Sequence, residues 1–234
     1  MAYLNRNILL LLFTGLFIVP AYSTPYKDLN IDFLLEDSTK APVKKQVKSK
    51  KKGAKKSFSN VVKEFQIIEG LFTLYWNEKT NQAYVSILPE QFENIYLAGL
   101  TRQSGDGYYL DGSSMLNEYA FMFKRVGKRV QFINVNVKFR ADENSPFRRS
   151  VEKHTSHSIL SSTEIASDPQ PETGAILADI GKLFFYDIEE ITRRSQGVYS
   201  FDKKDSYFTG LKSFPNNTEI EMALHFKGKK GKYI

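Results

Sequence analysis

The chain has no cysteine among its 234 residues. That excludes disulfides, thiolate metal sites and thiol nucleophiles, so any folded part is held by its core alone. Histidine is scarce too: His154, His157 and His225 are the only three. No H-E-x-x-H motif occurs, so this sequence lacks the helical zinc-binding pair of a metalloprotease. The G-x-S-x-G elbow of a serine hydrolase is missing; Arg193-Arg194-Ser195-Gln196-Gly197 comes nearest and lacks the first glycine. Gly105-Asp106-Gly107 and Asp111-Gly112-Ser113 form a glycine-rich stretch. It has neither the Gly-Lys-Ser/Thr ending of a phosphate loop nor the acidic spacing of a calcium loop, and reads as a turn-rich connection. No apolar run reaches the roughly 20 residues of a membrane-spanning helix.

The longest apolar run, residues 8–19, is broken only by Thr14 and Gly15. It follows a short stretch whose one charge is Arg6, and it precedes Pro20-Ala21-Tyr22-Ser23. Ala21 and Ser23 supply the small-x-small pattern read by signal peptidase. Residues 1–23 therefore read as a secretory signal peptide, cleaved between Ser23 and Thr24. The expectation is an exported protein that is periplasmic, on the cell surface or secreted.

The net charge of +7 is unevenly distributed. Nine lysines fall within residues 40–56, and without them and Arg6 the rest carries −3. The basicity belongs to a tail and not to a folded face. Residues 24–60 read as a flexible lysine-rich linker, because like charges keep such a run extended and solvated. Lys44, Lys45, Lys48, Lys50, Lys51, Lys52, Lys55 and Lys56 could contact an anionic envelope surface such as lipid or polysaccharide. A specific nucleic-acid site is not implied.

Residues 61–226 read as a β-rich domain, mainly β in an α+β sense. Antiparallel hairpins would form a sandwich-like or barrel-like fold with a few short helices. Fourteen of the chain's eighteen Phe and nine of its thirteen Tyr fall in this span and supply its core. Alternation places Phe72, Leu74 and Trp76 on one face of a strand and Ala83, Val85 and Ile87 on one face of the next, with a hairpin between. Residues 94–100 form a third strand after a helical turn opened by Pro89. Tyr119, Phe121 and Phe123 alternate in residues 119–125. A strand over residues 129–140 shifts phase at Phe132-Ile133, which predicts a β-bulge. Ser145-Pro146 is expected to open a helix reaching about His157. Strands are expected over 158–165 and 219–226. Residues 174–187 are ambiguous between helix end and strand. Residues 227–234 are a basic tail.

Few residues carry chemistry. His154 and His157, at i, i+3, could share one helix face and are weak metal candidates without a third ligand in sight. No two of Asp179, Asp187, Glu189 and Glu190 are placed across a cleft by the sequence. Tyr75, Trp76, Tyr84, Tyr108 and Tyr109 could line a peptide or sugar groove, although strand aromatics more often pair or pack.

Glu69-Gly70-Leu71-Phe72-Thr73-Leu74-Tyr75, Ala83-Tyr84-Val85-Ser86-Ile87-Leu88 and Tyr96-Leu97-Ala98 recur in a recognisable order. Ser104-Gly105-Asp106-Gly107, Phe123-Lys124-Arg125-Val126-Gly127 and Val135-Asn136-Val137-Lys138-Phe139-Arg140-Ala141 follow them. Together, over residues 61–226, the series resembles the N-terminal, non-catalytic region of large exported bacterial zinc-dependent metalloproteases with a metzincin-like catalytic domain. The resemblance implies an accessory domain with no cofactor of its own, the zinc belonging to the full-length family. It also implies a protease domain in cis or trans as partner, with a peptide substrate in reach. No catalytic residue carries over, and the chain alone is expected to lack peptidase activity. Its ending soon after the last strand suggests a truncated reading frame; a standalone relative is the other reading. The alternatives are an extracytoplasmic peptide- or glycan-binding module and a polyanion-binding envelope protein.

Overall fold

A computed structural model describes residues 8–20, 56–103, 114–188, 190–195 and 198–228, the first of these as a backbone path only. The chain runs through β1 (Ile8–Pro20), α1 (Phe58–Val61), β2 (Gln66–Ile68), β3 (Thr73–Asn77) and β4 (Gln82–Ile87). A 3₁₀ turn (Pro89–Gln91) leads to β5 (Tyr96–Arg102), β6 (Ser114–Val126) and β7 (Arg129–Asn134). Then come α2 (Arg148–His154), β8 (Ser158–Glu164), β9 (Ile176–Asp179), α3 (Ile180–Phe184) and α4 (Ile191–Arg194). The long hairpin of β10 (Tyr199–Phe214) and β11 (Asn217–Gly228) completes the order.

The strands form two antiparallel sheets. One has seven strands in the order β10-β11-β1-β5-β6-β7-β8, the other four in the order β2-β3-β4-β9. Both flanks join them. At one, Ile165 bridges Ala178 and the Ala166 amide donates to Leu177 O. At the other, the Leu71 amide donates to Phe214 O and the Ser213 hydroxyl to Phe72 O. The expected β-rich, sandwich-like domain is what forms.

Between the sheets lies an aromatic core. Phe72, Phe121, Phe123 and Phe132 are fully buried. Their ring centroids lie 4.9–5.7 Å apart in the pairs they form, including the edge-on pair Phe72–Phe123. α3 drives Ile180, Leu183 and Phe184 into this core, and Phe184 meets Phe132 at 5.0 Å. Burying each such ring is worth about 1.5–3 kcal/mol, and pairing adds about 0.5–1.5 kcal/mol. The alternation expected for residues 82–88 holds: Ala83, Val85 and Ile87 enter the core. Tyr84 points the other way, into a smaller cluster with Phe58, Tyr75 and Leu177 beneath α1. The last residues of the expected 24–60 linker thus already belong to the fold.

Several local expectations hold. Gly127, at φ +56, turns β6 into β7, a backbone conformation that suits glycine. The β7–β8 ladder shifts register between Phe132 and Ile133, where the phase change placed a bulge, although the extra residue is Leu160 on β8 and β7 itself stays in register with β6. The structure also corrects two. β7 ends at Asn134 rather than 140, because β8 offers nothing beyond Ser158 opposite it; Val137 and Phe139 are exposed. The helix expected from Ser145 to His157 is shorter. Ser145 accepts the Phe147 amide in a turn ahead of it, and Thr155 closes it by bonding Val151 O through both amide and hydroxyl.

The apolar run that reads as a leader forms β1. An unbroken apolar run has no period to separate helix from strand. Here it is extended: Ile8–Phe13 pair with Met222–Lys227 of β11, and Phe13–Pro20 with Tyr96–Arg102 of β5.

At the crossing of Gly70 over β10 the two backbones approach closely. A Cβ at Gly70 would lie 2.4–2.5 Å from Ser213 Oγ, Ser213 C and Phe214 N. Two of those atoms are backbone and cannot swing aside. Gly70→Ala is expected to destabilise the protein by about 1–3 kcal/mol through overpacking, read as a lower thermal midpoint. An unchanged midpoint would show that the sheets do not approach this closely.

Candidate functional site

β10 is an amphipathic strand interrupted by charge: Asp202-Lys203-Lys204-Asp205 sits between Phe201 and Tyr207-Phe208. The β10–β11 ladder jumps there from Asp202↔His225 to Tyr207↔Ala223, so the residues between bulge out. Ser206 patches the gap. Its hydroxyl donates to Asp202 O and accepts the His225 amide. The Lys204 amide donates to Asp202 Oδ1, which fixes the start of the bulge.

The bulge gathers four ionisable side chains. His225 Nδ1 lies 3.4 Å from Asp202 Oδ2 and 3.7 Å from Asp205 Oδ2. The Lys227 ammonium contacts Asp202 directly and stands 3.8 Å from Asp205. Asp202 and His225 are buried, whereas Asp205 and Lys227 are exposed. The Lys227 hydrogen bond lowers the Asp202 carboxyl from 3.8 to about 2. Reciprocally, Asp202 holds the Lys227 ammonium above its usual value.

Asp202, Asp205 and His225 are the one group among the described residues that could jointly offer a metal three ligand atoms. Their spacings of 3.4 and 3.7 Å approach the separation of ligands around tetrahedral zinc. Lys227 nevertheless stands where the cation's charge would go. Its charge offsets part of the acidity of the two aspartates from within the chain.

On another side of the bulge lies a shallow cavity of about 360 Å³, with Asn81, Asp179, Lys182, Lys203 and Phe208 among its lining. Burial holds the Lys203 ammonium below its usual value, against the pull of Asp179. Asp179 also caps α3 by accepting the Lys182 amide. Asn81, at φ +50, turns its amide group onto β10: Nδ2 donates to Phe208 O and Oδ1 accepts the Phe208 amide.

The residues singled out from sequence fall elsewhere. His154 closes α2 with Nδ1 against Ser150 O. His157 lies beyond that helix and accepts the Asn136 amide through Nδ1. The i, i+3 helical pairing therefore does not form, because the helix stops between them. Asp187 caps α4 through the Ile191 and Thr192 amides. The Ser195 hydroxyl donates to Thr192 O and accepts the Tyr199 amide. Tyr75 and Tyr84 are buried under α1 rather than lining an open groove. Ala21, Ser23, Thr24, Glu189, the lysines up to Lys55, Tyr108, Tyr109 and the glycine-rich stretch lie outside the described residues.

The family described as Domain of unknown function (DUF5117) matches residues 113–233. The chain belongs to the DUF5117 family. No curated protein and no solved structure matches it. The DUF5117 span takes in β6 to β11 and the whole bulge cluster, but leaves out β4 and β5. Within the sheets, β9 pairs with β4, and β6 needs β5. The folded unit therefore extends upstream of the DUF5117 match.

The cluster makes stability depend on pH. An acid lowered on folding contributes stability fully above its unfolded value and loses it as pH falls through the folded one. For Asp202 that window runs from 3.8 down to about 2. Lys227, raised on folding, contributes below its usual 10.5 and loses that contribution at higher pH. Asp202→Asn should lower the thermal midpoint at pH 7, with the gap to wild type closing between about pH 4 and 2. A gap independent of pH would remove the ion pair as its cause.

Proposed function

We propose that the chain is an exported accessory domain, without a catalytic site of its own, that works beside a zinc-dependent metalloprotease domain in cis or trans. The observation that carries this reading is a set of exposed apolar side chains on the segment leading from β7 to β8 and at the start of β8. Val137, Phe139, Phe147 and Ile159 are exposed there, Phe147 to 71% and Phe139 to 61%. Large apolar side chains left exposed among charged neighbours are suited to covering by another protein surface. Several polar groups of the described fold are engaged in holding it: Asp179 and Asp187 in caps, Ser206 in a bulge, Asp202 in an ion pair. Export is supported by the order of charge, apolar run and small-residue site in residues 1–23.

Two measurements test the reading. The full chain, purified after export and supplied with zinc, is expected to leave casein intact; cleavage suppressed by a chelator would overturn the non-catalytic role. The DNA beyond the Ile234 codon is expected to carry an H-E-x-x-H frame, continuous or after a frameshift. A neighbourhood with no such frame would count against a protease partner.

A further inference from the structure

β5 and β11 both present backbone edges to β1 and do not pair with each other. Each runs antiparallel to β1, so they run parallel to one another. The edges are offset: β11 serves the first half of β1, β5 the second, and Phe13 alone has a partner on both sides. Contacts independent of β1 hold each edge in place. On the hairpin side, Asn81 clamps Phe208 and the Leu71 amide reaches Phe214 O. The opposite side has the β5-β6-β7-β8 ladders and the Ile165–Ala178 bridge. α3 ties the two together, Phe184 packing on Phe132 and the following Phe185 on Phe208.

The geometry points to a strand-binding site: once residues 1–23 are removed, the β5 and β11 edges take up an extended apolar segment of another exported polypeptide as an antiparallel strand. This rests on the export reading above. Cleavage after Ser23 withdraws β1 and leaves two rows of ladder donors and acceptors unsatisfied in an otherwise assembled sheet. Such rows select an extended main chain. The surroundings select apolar side chains, since Tyr96, Ala98, Met222, Leu224 and Phe226 along the edges are buried. The offset sets the length, because a segment spanning both edges needs about as many residues as Ile8–Pro20. Proline is excluded from the alternate interior positions whose amides face the edge that serves that half.

The test uses the full chain, expressed in a host that exports and processes it, with its N-terminus read by intact mass. The probe is a synthetic peptide of the Ile8–Pro20 sequence carrying lysines at both ends; the control has prolines at alternate positions. Processed protein is expected to bind one peptide and gain about 5–10 °C in thermal midpoint at a hundredfold excess over Kd, and the control to bind at least tenfold more weakly. The absence of native cysteine allows a register check. Leu97→Cys should form a disulfide with a peptide bearing cysteine at the position of Val19, its ladder partner, and not with one shifted by one residue. Processed protein that folds only when the peptide is added overturns the premise that the edges stand without β1. Processed protein that neither binds nor cross-links overturns the site and leaves export standing. An N-terminus still at Met1 overturns both.

Discussion

Every ladder linking the β10–β11 hairpin to the β5-β6-β7-β8 meander within the larger sheet passes through the backbone of β1. Phe13 is the splice, the one position with a partner on each side. The smaller sheet, by contrast, forms entirely from residues after the linker, and it reaches both parts of the larger one through Ile165–Ala178 and Leu71–Phe214. The fold therefore has two kinds of closure. One is made by side chains and short backbone bridges around a shared core. The other is made by a single strand whose sequence reads as an export leader.

The lack of cysteine places the first kind of closure on packing. Aromatic rings suit this task, because each buries a large area and locks its neighbours at defined angles. Phe132 shows the economy of it: its ring meets Phe121, Phe123 and Phe184, so one residue joins two strands of the larger sheet to the helix between the sheets. Polar joints then set register where the core cannot. Asn81 does so by offering an amide that mimics a strand edge, and its positive φ is the conformation asparagine tolerates better than most residues.

The hairpins in residues 71–88 and 119–134, the turn at Pro89 and the strand over 158–165 were all legible, because each rests on local alternation or turn chemistry; the register shift at Phe132-Ile133 was legible too, but not that its extra residue falls on β8. β10 was not. Asp202-Lys203-Lys204-Asp205 breaks its alternation, and the charged residues look like a loop until β11 is laid beside them. The bulge cluster was hidden for a related reason. Counted out from the Phe214–Asn217 turn, an unbroken hairpin puts Ser206 opposite His225. Two register shifts bring Asp202 there instead. A one-dimensional reading can see that an Asp-rich stretch and a histidine share a hairpin, but not how many residues the strand spends on bulging. His154 and His157 erred the other way: their spacing was suggestive, and the Thr155 bonds to Val151 end the helix before the second histidine.

The two readings of residues 8–19 come from one property. A leader needs an apolar stretch without fixed partners, and a sheet strand flanked on both sides favours an apolar stretch with extended backbone. Neither demands a periodic pattern, so the same run satisfies both. The difference lies in what remains afterwards. A strand at the edge of a sheet could leave with little consequence, since its neighbour would become the new edge. β1 is interior, and its departure exposes β5 and β11 together, in fixed mutual direction and already braced by the rest of the fold. Removal by peptidase would convert a structural strand into a binding site without any further rearrangement. On the export reading proposed above, cleavage would come first and the partner second, because β1 is an interior strand of the sheet.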